Sequence, residues 1–102
     1  METPYTFEWD FANMKHILED NAARAIDIQE VESVFDDPGK VVKFVEFDEV
    51  RDEQRFSVVG LSKNNRLLCI IFVLTTSDLI RPITYWKVIR GKLKTRYENG
   101  GN

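Results

Sequence analysis

One cysteine, one histidine and three prolines in 102 residues set the first limits. Cys69 has no second cysteine to form an internal disulfide, and it sits in the apolar run Leu67 to Leu74 as a small buried hydrophobe. No cluster of bases lies near it in sequence to hold a thiolate, which argues against a nucleophilic thiol. One His and one Cys cannot furnish a usual zinc site, so neither metal nor cofactor is expected. That apolar run is the longest in the chain, yet it is far too short to span a bilayer. The first residues carry Glu2, Glu8 and Asp10 rather than a signal pattern, and a reducing cytoplasm is the expected compartment.

What the chain does have is charge split by position. Residues 1 to 54 hold fifteen acids against five bases, a balance of −10, and residues 55 to 102 hold nine bases against two acids, a balance of +7. The segment Leu79 to Tyr97 contains Arg81, Lys87, Arg90, Lys92, Lys94 and Arg96 and no acid. Cations interleaved with Tyr85, Trp86 and Tyr97 are the composition of a phosphate-seeking surface. The bland alternative for Lys92, Lys94 and Arg96 is a solvated helix face. The acidic half is either a solvated face or a dock for a basic partner.

With 43% apolar and 30% charged residues, the composition is that of one ordinary globular domain with a modest core. Residues 1 to 98 are expected to form that domain and residues 99 to 102 a frayed tail. Asp10 is a credible N-cap for a helix over Phe11 to Asp20, with Phe11, Met14, Ile17 and Leu18 inward. Asp27 caps a second helix through Phe35, which Asp36-Asp37-Pro38-Gly39 stops. Strands follow over Val41 to Phe47, Arg55 to Leu61, Arg66 to Leu74 and Ile80 to Trp86, with Lys63-Asn64-Asn65 as a tight turn. Apolar residues on both faces of the third strand make it central, and Pro82 puts the fourth at an edge. A basic helix over Ile89 to Tyr97 closes the chain, weakened by Gly91. The expected class is α+β, an antiparallel meander of about four strands packed against N-terminal helices, with a C-terminal helix.

Eight short blocks run in register along the chain. They are Phe7-Glu8-Trp9-Asp10, Asn13-x-x-His16-Ile17, Glu30-Val31-Glu32-x-Val34-Phe35-Asp36-Asp37-Pro38, Glu53-x-Arg55-Phe56, Gly60-x-Ser62, Arg66-Leu67-Leu68, Arg81-Pro82-Ile83-Thr84 and Arg96-Tyr97-Glu98. Together they resemble the BrnT family of bacterial toxins over nearly the whole chain. The resemblance implies a RelE-like fold, ribonuclease activity on messenger RNA, and a neutralising antitoxin of the BrnA type in a type II toxin–antitoxin system, with oligomers formed through that partner. Two positions depart from the family pattern. Asp20 stands where a second His is common, and Tyr85-Trp86 stands where the strand usually continues Ala-Arg.

Metal-independent RNA cleavage needs a base for the 2′-hydroxyl, cations for the scissile phosphate and an acid for the leaving oxygen. The resemblance points to His16 as the proton-transfer group, since its ordinary pKa lies near neutrality. Arg55 and Arg81, on separate strands, suit a phosphate clamp because a guanidinium can bind two phosphate oxygens at once. Arg66, Lys87 and Arg90 would guide the backbone, and Tyr85, Trp86 or Tyr97 would stack a base. Salt bridging to Glu53 or Asp52 is the competing role for Arg55, and edge protection is the competing role for Arg81. The main functional alternative is a catalytically weakened member that binds an antitoxin-like partner or RNA. A third is a protein-interaction domain that uses the acidic half.

Overall fold

Four stretches rich in β-branched and aromatic residues, separated by Asp, Asn and Gly, dictate a sheet joined by tight turns. The computed structural model describes residues 5–9, 26–75 and 78–100. In these residues the strands β1 (Val41–Asp48), β2 (Glu53–Leu61), β3 (Leu67–Leu74) and β4 (Ile80–Lys87) form one antiparallel sheet in the order β1-β2-β3-β4. Helix α1 (Ile28–Ser33) runs into a 3-10 turn, Val34–Asp36, and precedes the sheet; helix α2 (Lys92–Glu98) follows it. The α+β meander is therefore as expected. The expected helix over Phe11 to Asp20 lies outside the described residues. Among the described residues no helix is long and apolar enough to cross a membrane.

Local chemistry explains the boundaries. The Asp27 carboxylate accepts the Glu30 N–H at 2.7 Å and so caps α1. Between β2 and β3 the Asn65 backbone is left-handed at φ 62°, a conformation that asparagine tolerates at small cost. The last helix begins at Lys92 rather than Ile89, because Gly91 takes φ 102° and acts as a break before the first turn. Pro82 does lie on an edge strand, where a missing N–H costs no ladder bond.

One face of the sheet carries the core. Val58, Leu68, Ile70, Phe72, Ile80 and Tyr85 meet Ile26, Val31, Val34 and Phe35 from the α1 segment. Phe35 is the hub of an aromatic chain: its ring lies 5.2 Å from both Phe7 and Phe72, and Phe72 stacks on Phe56 at 5.5 Å. Phe44 continues the chain to the sheet edge, 5.7 Å from Phe56. Gly60 lets β2 pass close under the 3-10 turn: a side chain there would stand only 3.1 Å from Val34 and 3.2 Å from Asp37. Strand β1 is the outer strand beside β2 and is open to solvent along most of its length, exposing Val42, Phe44, Val45 and Phe47.

The docking of α1 on the β2–β3 turn is polar and buried. The fully buried Glu30 carboxylate accepts from Arg66 Nε at 2.9 Å and from an Arg66 terminal nitrogen at 2.8 Å. It also accepts from the Ser62 hydroxyl at 2.6 Å and the Asn64 amide at 3.0 Å. Ser33 adds a further tie by accepting the Lys63 N–H at 2.8 Å. Removing one partner of such a pair leaves a buried charge uncompensated, which is costly even where the pair itself adds little. Arg66→Ala should therefore lower unfolding stability by about 3 kcal/mol, read as a fall in the urea midpoint at constant slope.

Candidate functional site

The sheet register decides which of the expected site residues meet. Arg55 on β2 is opposite Val73 on β3, and Val73 is opposite Arg81 on β4. Directly opposed residues share a face, so both guanidiniums leave the sheet on the side away from the core, their Cα atoms about 10 Å apart. Glu46, opposite Arg55, and Asp48, opposite Glu53, place carboxylates on that same side.

Both arginines are paired. Arg55 lies 3.3 Å from Asp48 and 3.6 Å from Glu46, and its buried Nε–H has no hydrogen-bond partner among the described residues. Arg81 donates to the Glu53 carboxylate across two strands. Glu53 and Arg81 line a cleft of about 450 Å³ with Glu8, Arg51, Asp52 and Thr75, at the sheet end where β2 begins and β3 finishes. Glu8 is brought there because its N–H donates to the Ile80 carbonyl at 2.8 Å. Three carboxylates against two guanidiniums make this cleft slightly acidic rather than basic. Asp48, beside it, is held below its ordinary pKa by the Arg51 backbone N–H first, and also by the Arg51 side chain and the Val50 N–H.

The remaining expected contacts divide. Tyr85 is buried in the core, so no base reaches its ring. The cause is a bulge between the pairs Ile71–Thr84 and Phe72–Pro82. Strict alternation from Arg81 would put Tyr85 on the arginine face; the extra residue turns Tyr85 inward and Trp86 outward. Trp86 shares the arginine face, 36% exposed, about 15 Å along β4 from Arg81. Arg66 is committed to Glu30 and does not stand as a free backbone guide. Lys87 and Arg90 are exposed at the far end of the sheet, near the start of α2, with Arg90 ahead of the helix rather than in it. His16 lies outside the described residues. Between the two ends Val59, Cys69 and Val73 are buried, so the arginine face is accessible at its margins and not as a continuous platform. Burial pushes the Cys69 thiol up to about 11 despite the opposing Arg96 charge, which suits an inert packing residue.

Tyr97 has a structural task that the sequence did not reveal. Its hydroxyl donates to Asp37 at 2.7 Å, and the same carboxylate accepts the Leu61 N–H at 2.8 Å and the Gly39 N–H at 2.9 Å. Burial alone would raise the Asp37 pKa. The donors from Leu61, Tyr97 and Gly39 and the charge of Lys40 outweigh it and hold the group below its ordinary value. Asp36-Asp37 is thus a turn and anchor, as the helix-stop reading expects. No family model matches the chain, and no curated protein is detectably similar to it.

Burial and the Asp37 carboxylate push the Tyr97 hydroxyl from 10.0 up to about 12. The unfolded chain loses that proton near its ordinary pKa while the folded chain keeps it. The contribution is complete below that point and is lost as pH rises towards the folded value. Tyr97→Phe should flatten the fall in stability across this alkaline window relative to the parent, as measured by urea midpoints at about pH 9 and about pH 11. Cys69 also titrates there, and comparison of the two proteins cancels its share.

Proposed function

We propose that this protein is a metal-independent endoribonuclease, the toxin of a type II toxin–antitoxin pair, acting in the cytoplasm on messenger RNA. The single observation that carries the reading is the meeting of Arg55 and Arg81 on one face, flanking Val73. Two arginines whose Cα atoms stand about 10 Å apart can reach neighbouring phosphates of one strand, and stabilising phosphate charge is the largest part of such catalysis. Trp86 on the same face offers a stacking surface, and Lys87 and Arg90 beyond it offer backbone contacts. His16 keeps its assigned part in proton transfer on the strength of the resemblance to BrnT toxins. The partner on this reading is an antitoxin of the BrnA type, and larger assemblies form through it.

One observation favours the second reading, a binding module with weakened catalysis. Each arginine of the clamp is already neutralised by carboxylates. RNA must compete with Glu46, Asp48 and Glu53, whereas a basic partner protein would meet the acidic end directly.

Incubating purified protein with messenger RNA in chelator separates the two. Cleavage by the parent protein, lost by roughly 100-fold or more in Arg81→Ala while its circular dichroism is unchanged, is the expected result. Binding should weaken steeply with salt, with a logarithmic slope of roughly 0.7 per phosphate contacted. Intact RNA with salt-independent binding favours the module.

A further inference from the structure

The ion pair between Glu53 and Arg81 lies in the wall of a cleft at the sheet end where β2 begins. A carboxylate and a phosphate compete for the same guanidinium fork, because both present two oxygens to it. Glu53 holds one terminal nitrogen of Arg81, so a phosphate that takes the guanidinium fork with two oxygens displaces it. The released carboxylate remains within the same cleft, next to the phosphate that displaced it. It is then an unpaired proton acceptor, in a half-buried position, beside a polyanion whose nucleophile is a neighbouring hydroxyl.

We propose that Glu53 and Arg81 form an exchangeable pair, in which RNA phosphate replaces the carboxylate on Arg81 and the freed Glu53 takes the 2′-hydroxyl proton. The inference rests on the ribonuclease reading and assigns the base of the same site. In the step, the 2′-oxygen bonds to phosphorus and the bond from phosphorus to the 5′-oxygen breaks. The hydroxyl proton passes to Glu53, and the leaving 5′-oxygen takes a proton from the group that the resemblance to BrnT toxins assigns to proton transfer, His16. The products are a 2′,3′-cyclic phosphate and a 5′-hydroxyl, with no oxidant, metal or second substrate consumed. Arg81 stabilises the charge that accumulates on the phosphoryl oxygens. In the free protein Glu53 occupies the clamp, so the acceptor is occupied until substrate arrives.

The pair predicts that binding and chemistry move in opposite directions. In Glu53→Gln the competitor for Arg81 loses its charge, so a 2′-O-methyl RNA oligonucleotide, which cannot react, should bind roughly threefold or more tighter than to the parent protein. Cleavage of the matching ordinary RNA should fall by roughly 100-fold or more, the usual loss of a general base. A simple structural pair would instead lower both together. As a check that needs no variant, a single 2′-deoxy substitution at the cleaved nucleotide should block the parent protein at that site. Cleavage that persists in folded Glu53→Gln, weaker binding by that variant, or cutting at the 2′-deoxy position each overturns the proposal. A parent protein that cuts no RNA at all overturns the ribonuclease reading itself, and the base assignment with it.

Discussion

A fully buried carboxylate holds this fold in register. Glu30 lies on the inner face of α1, and four donors from the β2–β3 turn and Arg66 converge on it. The geometry is demanding, because each donor fits only if the hairpin closes with its observed turn and α1 sits at one height above the sheet. Apolar packing around Phe35 supplies most of the attraction, but oily surfaces tolerate sliding. The ionic contact does not. Just past the 3-10 turn, Asp37 ties α2 to β2 by accepting from the Tyr97 hydroxyl and the Leu61 N–H.

The charge split along the chain carries over into space only in part, because Glu30 and Asp37 stand with the β2–β3 turn at the sheet end of Lys63, Lys87 and Arg90. Strands alternate in direction, so the turns containing Glu49, Asp52 and Asp78 gather at one end of the sheet, while Lys63, Lys87 and Arg90 gather at the other. Arg55 and Arg81 belong to the acidic end despite coming from the basic half of the chain. At that end their charges are met by Glu46, Asp48 and Glu53, whereas Lys63, Lys87 and Arg90 stand exposed at the other.

Most of the architecture was legible from residue order. Asp27 as a cap, Lys63-Asn64-Asn65 as a turn, the two-faced apolar character of β3 and the edge position of Pro82 all follow from local chemistry. The site was legible only in part. That Arg55 and Arg81 share a face follows from register, which alternating patterns approximate. The pairing of Arg81 with Glu53 spans 28 residues and leaves no local trace. A glutamate in an amphipathic helix reads as solvent-facing, so the burial of Glu30 was invisible until its distant donors were in place. Tyr85 was misplaced because one extra residue in β4 reverses the alternation, and nothing in Ile83-Thr84 announces it.

The outer strand β1 bears on how the molecule behaves when concentrated. Among the described residues no strand pairs with its outer edge, beside Val42, Phe44 and Phe47, and such an edge is a template onto which an extended chain can zip. Two features blunt that tendency: the kink where Val45 breaks the pairing with β2, and the charges of Lys43 and Glu46 that a newcomer would have to desolvate. Those few residues at one rim are therefore what stands between this edge and self-adhesion.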